Sequence, residues 1–243
     1  MKNNIKTICI IPARGGSKGL KDKNIRLVNG HPLIAYVISN AVNSNIFDSI
    51  LVSTDSKKIA NIAKKYGADV PFLRKKKLAQ DLTTTEATLK NALNEYEKFK
   101  SLKFDICVYM TATDIFRQVS DIKKAVNILK KNKSIESCFS VRATHKNFWH
   151  KNKSGDFKRI LGSMKYYSSR QIKNPIFRED TGIICASRAY LWRKGRRIGD
   201  KVKILLNNNP IDIDIHDEYD IFLVRKTFEY FKMRNQKYLP KIT

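Results

Sequence analysis

Short runs that are apolar at nearly every position recur along this chain, and between them the apolar spacing becomes helical. A run without polar alternation has to be covered on both faces, so each reads as a strand buried inside a sheet. The first is Thr7 to Pro12, built around Ile8-Cys9-Ile10-Ile11. Pro32 to Ser44 then shows helical spacing through Leu33, Ala35, Tyr36, Ile38 and Val42, with Pro32 suited to a first turn. Ser49 to Thr54 is the next predicted strand and Ser56 to Tyr66 the next helix, closed by Gly67. Thr83-Thr84-Thr85-Glu86 has capping-box spacing and opens a helix reaching about Phe99. Further strands are predicted at Asp105 to Thr111, Ser137 to Val141, Gly182 to Ser187 and Val202 to Leu206. Helices are predicted from Ser120-Asp121 and over Glu218 to Phe231. Such alternation demands a mostly parallel sheet covered on both sides, hence an α/β fold. A chain of 243 residues fits one domain, 1–243.

The alternation breaks between about Arg142 and Arg178, a stretch rich in Lys, Asn, Ser and aromatics with no clear period. Long irregular stretches in compact domains usually serve function or association. This one is expected to be an excursion from the core, at about 142–178, that shapes a substrate site and a subunit interface. Hydrophobic residues make up 42% of the chain, which excludes a wholly disordered protein. No run of about 18 apolar residues is present to span a bilayer. Met1-Lys2-Asn3-Asn4 leads straight into the first strand, which does not read as a signal peptide. Cys9, Cys107, Cys138 and Cys185 each sit among apolar neighbours, in no metal-ligand spacing. They read as reduced, buried thiols, which predicts a cytoplasmic protein.

The 48 Lys+Arg outnumber the 22 Asp+Glu, a formal net charge of +26 that invites a nucleic-acid reading. The cations are nevertheless spread along the chain. The densest clusters, Arg74-Lys75-Lys76-Lys77 and Arg193-Lys194-Gly195-Arg196-Arg197, lack the interleaved aromatics that stack on bases. A positive field suits an anionic small molecule equally well. Neither a nucleic acid nor a membrane is expected as partner; the alternative is a polyanion binder whose loop is only a basic patch.

The loop after the first strand sharpens this reading: Ile11-Pro12-Ala13-Arg14-Gly15-Gly16-Ser17-Lys18-Gly19-Leu20-Lys21-Asp22-Lys23-Asn24. It leaves the carboxyl end of that strand, where ligands bind in open α/β sheets. It matches neither G-x-G-x-x-G nor G-x-x-x-x-G-K-[ST], because Leu20 stands where the latter needs its second glycine. Its chemistry still suits phosphate, since glycines admit backbone N–H groups to an anion and Arg14, Lys18, Lys21 and Lys23 supply cationic donors. Late in the chain comes Ile211-Asp212-Ile213-Asp214-Ile215. On extended backbone, Asp212 and Asp214 project to one side and the isoleucines to the other. Two such carboxylates can hold Mg²⁺ against phosphate oxygens; they can also serve as caps or ion-pair partners.

Together, Ile-Pro-Ala-Arg-Gly-Gly-Ser-Lys-Gly, Lys23-Asn24 and the late Asp-Ile-Asp closely resemble the acylneuraminate cytidylyltransferases, the CMP–sialic acid synthetases and their relatives for other nonulosonic acids. The resemblance runs along nearly the whole chain. It includes Ser53-Thr54-Asp55, Leu78-Ala79-Gln80-Asp81, Arg117, and Arg170 and Arg178 ahead of Gly182. It implies a Rossmann-like three-layer α/β/α fold of the nucleotide-diphospho-sugar transferase type, CTP and a nonulosonic acid as substrates, Mg²⁺ and a homodimer. By the same resemblance, Ala13, Arg14, Gly15, Gly16, Ser17, Lys23, Asn24, Arg74 and Asp81 would bind the nucleotide. Thr111, Arg117, Arg170 and Arg178 would bind the sugar, Asp212 and Asp214 the metal. Arg14, Lys18 and Asp214 would carry the catalysis. A cytidylyltransferase for 3-deoxy-manno-octulosonate is the alternative within the class.

The chain departs from the pattern on the sugar side. Where the family usually has Leu-Gln-Pro-Thr-Ser-Pro-Leu-Arg, Met110-Thr111-Ala112-Thr113-Asp114-Ile115-Phe116-Arg117 stands, so Thr111 replaces the glutamine expected to touch the sugar. Glu179-Asp180-Thr181 likewise stands where Pro-Asn is common.

Overall fold

The computed structural model describes residues 4–166 and 169–243. Seven strands form the main sheet: β1 (Thr7–Pro12), β2 (Ser49–Ser53), β3 (Ile106–Tyr109), β4 (Ser137–Thr144), β5 (Ile176–Glu179), β6 (Cys185–Arg188) and β7 (Val202–Leu206). Their order is β7-β4-β6-β3-β1-β2, with β5 also paired to β4. Five of the seven run in one direction; β5 and β6 oppose them. The sheet is thus mostly parallel, as the alternation predicts.

The helices are α1 (Leu33–Ser44), α2 (Lys57–Lys65), α3 (Thr85–Lys100), α4 (Val119–Lys131), α5 (Ala189–Arg193) and α6 (Glu218–Arg234). Pro32 is the residue before α1 rather than its first turn. Thr84, not Thr83, caps α3, its hydroxyl accepting from the Ala87 amide. Strand alternation sets the layers. Cys9 and Ile11 pack with Val37, Ile38, Ala63 and Leu129 of α1, α2 and α4 on one face. Ile8 and Ile10 pack with Leu89, Leu93, Tyr96 and Trp192 of α3 and α5 on the other. All four cysteines are free and buried.

Two features place the site. From β1 the chain passes to β2 on one side and later to β3 on the other, which opens a crevice at the carboxyl end of β1. Along β4, meanwhile, the paths of β5 and β6 are collinear but interrupted. Glu179 pairs Val141 and Cys185 pairs Phe139, so five residues, 180–184, oppose Ser140 alone. Ser140 spans the break: its amide donates to the Ile184 carbonyl, and its carbonyl accepts from the Asp180 amide. An insertion of this size throws residues off the sheet plane, here toward the same end as the β1 loop.

The excursion expected at 142–178 leaves at the end of β4 and returns as β5. It carries a short antiparallel hairpin, Trp149–Lys151 with Phe157–Arg159. Among the described residues, no helix is long and apolar enough to cross a membrane.

Candidate active site

The first loop is held in shape by contacts that the local sequence supplies. The Ala13 amide donates to the Ser53 carbonyl, and the Gly15 amide to Asp55 Oδ1 at 2.9 Å. A Cβ on Gly15 would fall 3.1 Å from Ser56 Cβ, so the glycine lets the loop lie against the start of α2. Asn24 is buried and closes the loop by donating from Nδ2 to the Arg14 carbonyl at 2.9 Å. Gly16 faces open space.

Arg14 and Lys18 converge on one carboxylate. Arg14 Nη1 lies 2.7 Å from Asp81 Oδ1, and Lys18 Nζ 2.6 Å from Asp81 Oδ2. The bonds from Lys18 and Arg14 hold the Asp81 carboxyl below its usual range. An anion is therefore already matched to these two cations by geometry and charge. Beside them lies a cleft of about 230 Å³ lined by Arg14, Arg74, Leu78, Gln80, Asp81 and Tyr109. Arg74 is buried, its Nη2 3.9 Å from Asp55 Oδ1, and its Nε has no hydrogen-bond partner among the described residues.

A second, larger cleft of about 480 Å³ shares Tyr109 as a wall. Thr111 and Asp114 line it from the turn after β3, Arg178 and Glu179 from the end of β5, Asp180 to Ile183 from the insertion, and Asp212, Asp214 and His216 from the late acidic segment. That segment alternates as the sequence predicts: Ile211 and Ile215 are buried against α6 and the first loop, while Asp212 and Asp214 are exposed. Lys23 ties the two regions together by donating to the Ile215 carbonyl at 3.0 Å. Burial pulls the Lys23 ammonium below its usual value and Asp214 draws it back up. At Gly19 the approach is so close that a Cβ would fall 2.8 Å from the His216 carbonyl oxygen.

Not every predicted residue arrives where the sequence places it. Arg117 is buried and does not line this cleft: its Nε donates to the Ile183 carbonyl and its Nη2 to the Thr111 and Gly182 carbonyls, while Nη1 has no hydrogen-bond partner among the described residues. It clamps the turn after β3 to the insertion, and its charge acts on Asp114. Thr111 lines the cleft, but its hydroxyl is 2.6 Å from Asp114 Oδ2 and so engaged within the protein. Arg170 lies exposed on the excursion and does not line the cleft.

Arg178 does line it, bonded to Asp180 at 2.8 Å and, from Nη2, to Asp212 Oδ1 at 2.7 Å. Asp212 Oδ1 also lies 3.2 Å from Arg142 Nε. The residue expected to hold a metal is thus held by two arginines, leaving Asp214, 3.0 Å from His216 Nε2, as the freer carboxylate. These hard oxygen donors suit Mg²⁺. Among the described residues no three His, Cys, Asp or Glu side chains form a ready cage, so phosphate oxygens would have to complete the shell.

Sequence reasoning missed Tyr109, Arg142 and Asp180. Tyr109 sits at the carboxyl end of a buried strand, a position that by itself marks ligand walls. Asp180 lies in a quoted departure, but its partners come from distant segments. Nothing local singles out Arg142.

Residues 8–239 match a family model described as cytidylyltransferase. Over 230 residues the chain is 34% identical to a CMP-N,N'-diacetyllegionaminic acid synthase of Legionella pneumophila, covering 93% of this chain and 97% of that one. Over 217 residues it is 31% identical to post-translational flagellin modification protein B of Campylobacter coli, covering 89% and 92% respectively. Among solved structures, a CMP:2-keto-3-deoxy-manno-octonic acid synthetase complexed with CTP superposes with a TM-score of 0.68. It covers 93% of this chain at 13% identity, a likeness of fold.

Proposed function

The chain belongs to the cytidylyltransferase family, and from that premise we propose that it transfers the cytidylyl group of CTP to a nonulosonic acid, releasing pyrophosphate. One observation carries the reading. Two clefts meet at Tyr109, one fronted by the glycine loop with Arg14 and the other holding Arg178 among carboxylates. A nucleotide in the first and a sugar acid in the second would meet where the loop and the acidic segment are tied together by Lys23.

The triphosphate would replace Asp81 as the partner of Arg14 and Lys18, with the Gly16 amide on its path and the Gly15 amide, bonded to Asp55, holding the loop in shape. The buried Arg74 Nε is a donor that a pyrimidine carbonyl would satisfy. The sugar carboxylate would dock at Arg178. Its anomeric hydroxyl would then attack the α-phosphorus in line, with catalysis resting on positioning and charge stabilisation. Asp214, with Asp212 beside it, would hold Mg²⁺. When bound there, Mg²⁺ supplies charge neutralisation on the phosphate oxygens.

The excursion exposes Trp149, Phe157, Ile160, Ile172 and Phe177. An apolar surface of this kind supports a homodimer formed through it. Sedimentation velocity on Phe157→Glu would then show a monomer. The buried reduced thiols support a cytosolic setting.

The test is pyrophosphate release from CTP with Mg²⁺ and a panel of nonulosonic acids, with 3-deoxy-manno-octulosonate alongside. Release with one or more nonulosonic acids is the expected result. Release with 3-deoxy-manno-octulosonate alone, or with no sugar acid, overturns the proposal.

A further inference from the structure

The turn after β3 carries a hydrogen-bonded pair that the transfer reaction described above does not use. Thr111 Oγ1 lies 2.6 Å from Asp114 Oδ2 and 3.1 Å from the Gly182 carbonyl oxygen. A threonine hydroxyl has one hydrogen to donate. The Gly182 carbonyl already accepts from the Thr111 amide at 2.9 Å and from Arg117 Nη2 at 2.8 Å, which fills both its lone pairs. The Thr111 hydroxyl therefore donates to Asp114 and fixes how that carboxyl group is turned. Gly182 completes the fit, since a Cβ there would fall 2.5 Å from Asp114 Oδ2 and 3.0 Å from Thr111 Oγ1.

Asp114 Oδ1 is left without a protein hydrogen bond among the described residues, on a residue that lines the larger cleft. That cleft is lined by Asp114, Glu179, Asp180, Asp212 and Asp214, so acceptors outnumber donors in it. A ligand seated there has to present donors on the side away from its own acid group. We propose that Asp114 is a specificity-determining residue, its Oδ1 accepting a hydrogen bond from an amide N–H or hydroxyl of the sugar acid, with Thr111 positioning it. The inference rests on the sugar-acid reading above. Burial pushes the Asp114 carboxyl above its usual range, Arg117 and the Thr111 bond pull it back, and Asp214 and Asp180 push it up again. A donor from the ligand offsets that destabilised charge.

The experiment measures kcat/KM with N-acetylneuraminate, N,N'-diacetyllegionaminate and pseudaminate, and KM for CTP, in wild type, Asp114→Ser, Asp114→Asn and Thr111→Val. Asp114→Ser is expected to lower kcat/KM for the best acid by about 10- to 100-fold, the worth of one hydrogen bond to a charged group. The spread among the three acids should narrow while KM for CTP and Tm stay near wild type. Asp114→Asn, which keeps an acceptor, should recover part of the loss, and Thr111→Val should narrow the spread in the same direction. Loss by one common factor for all three acids, or an unchanged spread, overturns the proposal. If wild type turns over none of the three with CTP, the sugar-acid reading falls and this inference with it.

Discussion

Arg14→Ala is expected to cut kcat by about 10²- to 10³-fold while leaving the fold in place, because it removes one preorganised donor from developing phosphate charge. The cost in stability follows from the contacts. The side chain's partner is Asp81, at 2.7 Å, and both groups are substantially solvated, 33% and 44% exposed. A pair this solvated adds little to stability, because water screens it and both side chains give up freedom to form it. The bond that closes the loop runs from Asn24 Nδ2 to the Arg14 backbone carbonyl, which alanine keeps. Melting should therefore move by no more than about 2–4 °C, the range of a minor surface change in a domain of this size. Stopped assays of pyrophosphate release, paired with thermal melts on the same preparation, separate the two effects. Turnover near wild type would refute the role given to the loop. A Tm loss of about 10 °C would refute the claim that Arg14 has no packing role.

Activity should require a divalent ion, and Asp214→Asn should raise the Mg²⁺ concentration for half-maximal rate; full activity in excess chelator contradicts this. N-acetylneuraminate should not be the best acceptor, because Thr111 spends its hydroxyl on Asp114 and cannot reach as a glutamine would. A clear kcat/KM advantage for N-acetylneuraminate over legionaminic and pseudaminic acids refutes that. At the opposite end of the sheet, Glu97 is buried and receives Arg193, Lys103 and the Phe104 amide. Burial works to raise its carboxyl, but those bonds outweigh it and hold the group below the usual range. Its stabilisation is therefore present above about pH 4.5 and lost as pH falls through the lower folded value. Glu97→Gln should cost about 2–4 kcal/mol at pH 7, discounting the buried-pair figure for the partly exposed Arg193, and flatten the acid limb of the stability profile. An unchanged acid limb in urea titrations contradicts it.

The layers were legible because β1 is apolar at successive positions and must feed both faces of the sheet, while α2 and α4 show their one-sided spacing in sequence. The antiparallel course of β5 and β6 was not legible. Direction within a sheet depends on how the chain returns from its excursion, and Gly182 to Ser187 reads as a strand whichever way it runs. In the site, the first loop could be read because its groups lie within a dozen residues of one another. Asp212 and Arg178 were each visible, but not their mutual ion pair, since it joins the late acidic segment to β5. Arg117 was visible as a lone arginine after a buried strand, but only three-dimensional placement shows its Nε and Nη2 bonded to backbone carbonyls of the turn and the insertion.

Mass analysis of the products formed from CTP, Mg²⁺ and the preferred nonulosonic acid tests the transfer reaction itself. A CMP–sugar acid and pyrophosphate are expected in one-to-one yield, both absent when either substrate is left out. Formation of CMP or CDP without a sugar conjugate, or an equal yield with another nucleoside triphosphate, would contradict it.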